Sequence, residues 1–279
     1  MNVDISCPAC KRTGQIQIKD NMVESSHRNV TVVDIAQDTI CEHSFIVFID
    51  KDLKIKDCYV CDFKIELPKG KIKTEEPFSL SANYDIDIIR LSVLPSLMVH
   101  VLKGIFIGKK IAIISNNELL SRNILEFFIN ITSDSFNLEL FCIDESEYIK
   151  EKNKYGDFLV LEGVNVVNDN DKLINEKDLK IERAIVQKFF SENDPEISII
   201  IIKDEIYKIF KLVEALIGFN KNYNKKNPFT MKKALEFFEN EFKIQIPVPY
   251  LSYLADIVEK RFNIELYKTD KFTDFLGLF

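Results

Sequence analysis

The chain has 279 residues, 46% hydrophobic and 29% charged, with a formal net charge of -7 and a pI near 5.2. The apolar content, which includes 22 Phe, is ample for a packed core and predicts a globular protein. The acidic balance argues against a general polyanion binder, because nonspecific nucleic-acid affinity comes mainly from Lys and Arg neutralising phosphates; only a local basic patch stays open. Domains typically hold ~100–150 residues, so more than one is expected.

No stretch near the start has the basic, apolar and small-residue order of a secretory leader, which predicts an intracellular, cytoplasmic protein. The most apolar segment, "LSVLPSLMVHVL" from Leu91 to Leu102, falls far short of the roughly 20 residues that a spanning helix needs, so no transmembrane segment is expected. Five of the 6 cysteines precede residue 62, which in a reducing compartment points to metal binding more than to disulfides.

From "GQIQIKD" through "NVTVVDIA", "SFIVFID" and "KIKDCYVCDFKIEL", apolar and polar residues alternate with the period of short β-strands. Residues 1–68 therefore read as a small β domain, and residues 69–107 as a linker, "PKGKIKTEEP", followed by a buried apolar helix. Next come strand and helix in turn: "KKIAIIS" and "NNELLSRNILEFFINI", with Asn116 or Asn117 as the cap, then "LELFCID" and "ESEYIKEKNKY". "DFLVLEG" leads to a long polar loop and the helix "LKIERAIVQKFFSE", and "ISIIIIKD" to "EIYKIFKLVEALIGF". Short apolar runs between amphipathic helices predict a doubly wound, flavodoxin-like α/β domain over residues 108–220, its parallel sheet covered on both faces. Residues 228–279 read as a helical subdomain, with Thr230 capping "MKKALEFFENEF" and a second helix in "PYLSYLADIVEKRF".

The chemistry is concentrated at the start. In "CPAC", Cys7 and Cys10 stand at the spacing of a metal knuckle, whose backbone folds around an ion and points both thiolates inward. In "CEHSF", Cys41 and His43 are two apart in an expected strand, so their side chains share a face and could meet the same ion, making the favoured four-ligand zinc set, with ordinary buried or surface thiols as the bland alternative. The alternative second pair is Cys58 and Cys61, although in an alternating strand these point to opposite faces unless the chain turns. A redox couple at Cys7 and Cys10 would normally sit where a helix begins, whereas here β structure follows. Four protein ligands close the coordination sphere, so the zinc is expected to be structural, supporting a small β domain with little core of its own. His27 reads as a solvated loop residue, and His100 as a satisfied core residue on an apolar helix.

This segment, with its "CPAC" start and "CEHSFIVFIDK", resembles a region shared by archaeal proteins that carry no assigned activity. The resemblance implies the pairing of Cys41 and His43 with the first knuckle.

Ligands of doubly wound folds bind beyond the C-terminal strand ends, which are here Ser115, Asn116 and Asn117, Asp144 and Glu145, Glu162 and Gly163, and Lys203 and Asp204. No glycine-rich phosphate loop accompanies them. Asp144, Glu162 and Asp204 could hold Mg²⁺ in an enzyme acting on a phosphorylated small molecule; as bland alternatives they are helix caps or solvated acids. "KKIAIISNNELLSRNILEFF" and "YGDFLVLEG" resemble the receiver domains of bacterial response regulators. Where that family has its metal-binding acids this chain has Asn116 and Asn117, and Glu162 stands at the phosphate-accepting position. The resemblance therefore implies a receiver-like fold used for binding rather than for phosphoryl transfer.

The leading reading is thus a non-enzymatic interaction or regulatory protein whose partner is another protein. "FTDFLGLF" offers an apolar stripe of Phe272, Phe275, Leu276 and Phe279 for docking, or for packing on its own domain. Nucleic-acid binding is the alternative, through the ribbon and Lys221, Lys225, Lys226, Lys232 and Lys233 interleaved with Tyr223 and Phe229.

Overall fold

The computed structural model describes residues 2–18, 30–60, 84–175, 178–223 and 230–266. The N-terminal part forms two small antiparallel sheets. Strands β1 (Asn2–Ser6) and β2 (Thr13–Gln17) make a hairpin in which Asn2 faces Gln17 and Ser6 faces Thr13. Strands β3 (Val30–Ile35), β4 (Phe45–Asp50) and β5 (Ile55–Val60) form the second sheet, with β4 in the centre.

Strand periodicity decides what this second sheet does, because successive side chains point to opposite faces. Phe45, Val47 and Ile49 of β4 face the hairpin and pack with Val3, Ile5, Ile16 and Ile18. Ile46 and Phe48 face the other way, joining Val30 and Tyr59 in the main core with the helices. All five of these β4 side chains are buried, so one strand serves two cores. Polar groups fix the second contact. Tyr59 donates from its hydroxyl to the carbonyl of Arg183 at 3.2 Å, and Arg183 donates back to the carbonyl of Val60 at 3.1 Å.

Helices α1 (Ile86–Ser92) and α2 (Pro95–Ile107) follow, separated by Val93 and Leu94. Leu94 offers no side-chain cap for α2; the carboxylate of Asp57 on β5 does, accepting from the Ser96 N–H at 2.7 Å. The α/β sheet contains β6 (Ile111–Ile114), β7 (Leu140–Ile143), β8 (Leu159–Glu162) and β9 (Asn165–Asn168), in the order β7-β6-β8-β9. The first three run parallel and β9 returns antiparallel to β8, where the sequence suggested a polar loop. Ile111, Ile113, Leu159 and Leu161 face the main core. Ala112, Ile114, Ile143 and Val160 face Tyr148 of the short helix α4 (Glu145–Lys150) and Tyr155. Helix α3 (Glu118–Thr132), capped by Asn117, buries Ile124, Phe127 and Phe128 at helical spacing, while Leu119 in its first turn stays exposed.

One expected strand is absent. "ISIIIIKD" lies inside α6 (Pro195–Asn220), a 26-residue helix that follows α5 (Lys180–Ser191). Asp194 accepts from the N–H groups of Glu196 and Ile197, and Pro195 occupies the first turn, so the helix starts before the isoleucine run. Ile199, Ile202, Ile206, Ile209, Val213 and Leu216 then fall on one buried stripe. The fold is thus mixed α/β around a partly parallel sheet, with a long helix where a fourth parallel strand was anticipated.

Helices α7 (Met231–Phe242), capped by Thr230, and α8 (Val248–Phe262) complete the described chain. Tyr250, Leu251, Leu254 and Val258 of α8 share the main core, and a buried polar set joins α8 to α2 and α5. In that set Tyr253 donates to Glu182 at 3.0 Å, and Lys103 lies 3.7 Å from the same carboxylate. The "FTDFLGLF" stripe lies outside the described residues. No single helix among the described residues is long and apolar enough to cross a membrane.

Candidate metal centre

Two turns build the site. After β1 the chain reverses through Pro8–Cys10: the Cys7 N–H donates to the carbonyl of Arg12, and the Lys11 N–H to the carbonyl of Cys7, both at 2.9 Å. Lys11 closes this turn in the left-handed region, at φ 61°. The second turn follows β3, where Asp38 at φ 66° donates its N–H to the carbonyl of Cys41 at 2.8 Å. Cys41 and His43 therefore sit in the bend before β4 and not in a strand, and the bend rather than strand alternation turns both side chains inward. The two halves meet closely at Gly14, where a Cβ would lie 2.9 Å from Cγ1 of Ile40, the neighbour of Cys41.

Cys7, Cys10, Cys41 and His43 come together, with their ligand atoms all within 4.8 Å of one another. None of the three cysteines is in a disulfide. Cys7 and Cys41 are buried, His43 is half-buried and Cys10 is exposed. Nδ1 of His43 lies 3.7 Å from Sγ of Cys41. Tetrahedral zinc, with bonds of about 2.3 Å to sulfur and about 2.0 Å to nitrogen, would set that edge at about 3.5 Å. The observed edge and the gathering of the four residues are compatible with a bound metal ion.

The thiols compete for charge. Burial opposes ionisation of Cys7, but the backbone N–H groups of Cys10 and Ala9, with further support from the Cys41 and Cys10 thiols, hold it below the ordinary thiol value. For Cys41 the backbone of His43 favours the thiolate; burial and the neighbouring Cys7 and Cys10 outweigh it and push the thiol up to about 11. Ionisation of Cys7 is favoured relative to a free thiol, and a second charge on Cys41 is resisted. A divalent cation removes that conflict, since a coordinated thiol is deprotonated outright. Four such ligands on one ion would leave no coordination position for a substrate.

Cys58, of the alternative pair, is on β5 opposite Val47, half-buried against the same hairpin core but outside the four-residue cluster. Cys61 and His27 lie outside the described residues. His100 is buried on α2; burial, then the charge of Arg183, lowers its pKa to about 4 against the pull of Asp57 and Asp169, so the ring is neutral.

Among the described residues those expected at the strand ends gather into no metal-binding group, although the ends of β6 and β7 meet. Ser115 accepts from the Asn117 N–H, Asn117 caps α3, and Asn116 accepts from the Glu145 N–H. Asp144 caps α4, and the Ser146 hydroxyl and Glu147 N–H that donate to it hold its carboxyl below the usual range. Glu162 ends β8, with Gly163 turning the chain at φ 56°. Lys203 and Asp204 are on α6 instead, Lys203 pairing with Asp134 at 3.0 Å. Among the described residues only the Cys/His set gathers three or more potential metal ligands. In the basic stretch, Lys232 pairs with Glu236 at 3.9 Å and Lys233 lies 5.7 Å from the centre of the Tyr223 ring, while Lys225, Lys226 and Phe229 are outside the described residues.

Sequence reasoning missed an open groove of about 410 Å³ between α5 and α6, lined by Lys188, Ser191, Glu192, Ile201, Asp204 and Glu205. Reading residues 197–204 as a strand hid it; the Asp194–Pro195 helix start was the signal that could have revealed it. It also missed the Gly14–Ile40 contact, which no spacing rule encodes. No protein-family model matches the chain, and no curated protein or solved structure does. What stands is a cluster of Cys7, Cys10, Cys41 and His43 compatible with a bound metal ion.

Proposed function

We propose that Cys7, Cys10, Cys41 and His43 hold one structural zinc ion that ties the N-terminal hairpin to the bend before β4. The protein is on this reading a non-enzymatic interaction or regulatory protein of the cytoplasm, and its partner is another protein. The observation that carries the zinc assignment is the 3.7 Å spacing of Cys41 Sγ and His43 Nδ1 within a set of three thiols and one imidazole. The soft sulfur donors favour zinc over magnesium or calcium. A binding role for the α/β part, as a receiver-like scaffold rather than a doubly wound catalyst, is supported by the use of Asn117 and Asp144 as helix caps.

Metal content of the purified chain, measured by mass spectrometry on wild type, Cys41→Ser and Cys58→Ser, tests this reading. About one zinc per chain is expected, lost in Cys41→Ser and kept in Cys58→Ser. Loss only in Cys58→Ser would transfer the site to the alternative pair. For the interaction role, a partner captured by affinity purification from the native cells must bind the purified protein directly; salt-sensitive binding to RNA or DNA instead would replace it with the nucleic-acid reading.

A further inference from the structure

The four ligands are unequally protected. Cys7 and Cys41 are buried, Cys58 and Cys142 are half-buried, and Cys10 alone among the described cysteines is exposed. It is also on the same short turn as Cys7, which the Lys11 N–H to Cys7 carbonyl bond closes at 2.9 Å, whereas Cys41 belongs to a separate segment.

Resting on the zinc-site reading, we propose that this centre is an oxidant-sensitive clasp: hydrogen peroxide oxidises Cys10, Cys7 condenses with it, and the metal is released. Zinc has no accessible redox change, so the electrons must come from sulfur. The Cys10 thiolate attacks one peroxide oxygen, an S–O bond forms as the O–O bond breaks, and hydroxide leaves. The Cys7 thiolate then attacks the Cys10 sulfenic sulfur, the S–S bond forms, the S–O bond breaks, and a second hydroxide leaves. Two thiolates have given two electrons to one peroxide, and solvent protons convert both hydroxides to water. Cys7 is the resolving thiol because closing a four-residue turn needs little chain movement. Cys41 and His43 remain, too few to hold the ion, so the hairpin loses its strap to the bend before β4. Reduction of the disulfide with zinc present restores the site.

The test uses the full chain loaded with zinc under reducing conditions, then freed of reductant and treated with hydrogen peroxide. Zinc release is followed with a chromogenic chelator and the first disulfide by peptide mass mapping. One zinc freed per chain is expected, together with a Cys7–Cys10 link that dithiothreitol reverses. Cys10→His keeps four ligands without the exposed thiol; it should still load zinc and release it at least about tenfold more slowly. Cys58→Ser with Cys142→Ser should release at the wild-type rate. Zinc retained while other cysteines oxidise, a first link other than Cys7–Cys10, or equally fast release from Cys10→His overturns the proposal. If Cys10→His does not load, the wild-type disulfide map decides alone. A reduced wild-type chain that takes up no zinc overturns the zinc reading itself, which peroxide resistance of a loaded chain would not.

Discussion

The fold opposes protonation of His100, since its imidazole is buried on α2 beside the positive charge of Arg183. Its pKa falls from 6.5 to about 4 on folding. The unfolded chain therefore binds the proton more readily between those values, and stability rises with pH across that window. Above pH 6.5 the contribution is fully present; as the pH falls towards 4 it is lost, by up to about 3 kcal/mol. Urea unfolding between pH 4 and pH 7 should show this slope in wild type and a shallower one in His100→Leu. Parallel slopes would mean that the ring is protonated in the folded protein. The metal site shows how side-chain identity and conformation separate at this scale. The four clustered residues are legible because Cys and His are scarce and their spacing has chemical meaning. The bend that carries Cys41 and His43 is not, because it depends on left-handed Asp38 and on the fit of Ile40 over Gly14.

At the scale of elements, α2 reaches the sheet through Gly104. A Cβ there would lie 2.7 Å from Cδ1 and 2.9 Å from Cγ1 of Ile111, and 3.2 Å from Cδ2 of Leu159. Ala in place of Gly gains about 1 kcal/mol of helix propensity. Overpacking against fully buried neighbours on two strands costs about 1–3 kcal/mol, and the neighbours have little room to yield. Gly104→Ala should therefore lower stability by about 1 kcal/mol, read from the urea midpoint; a higher midpoint would show that Ile111 moves aside. The long helix α6 shows why sequence patterns fail at this scale. A run of isoleucines carries the strand signal, since β-branched side chains suit a pleated surface. Within α6 the same run has Asp194 and Pro195 before it and an unbroken helical stripe after it, so the start signal and tertiary burial prevail. The antiparallel β9 was hidden for a different reason: "NVVN" is short and polar, and Asn168 holds it by donating to the carbonyls of Tyr155, Gly156 and Phe158.

For the whole molecule, the hairpin has contacts of its own and an anchor of its own. A two-stranded ribbon is marginal in water, and here its apolar side chains pack on the second sheet while the Cys/His cluster lies at one end. On the proposed zinc reading, removing the metal with a chelator should raise amide exchange in residues 2–17 and leave the protection of α2, α6 and α8 largely unchanged. Uniform loss of protection across those helices would show that the metal supports the entire fold cooperatively.

Strand β4 separates the two cores as a party wall separates two houses. Val47 and Phe48 are adjacent in sequence yet belong to different interiors, whereas Val47 and Ile16 are distant in sequence and share one. Double-mutant cycles should reflect this: truncating Val47 and Phe48 together should add within about 0.5 kcal/mol, while Val47 and Ile16 should couple by about 0.5 kcal/mol or more. Strong coupling of the adjacent pair would mean that backbone shifts pass through the wall. With the wall intact, the hairpin interior is mutationally insulated from the helical body, and substitutions accumulating on one side of β4 need no compensation on the other.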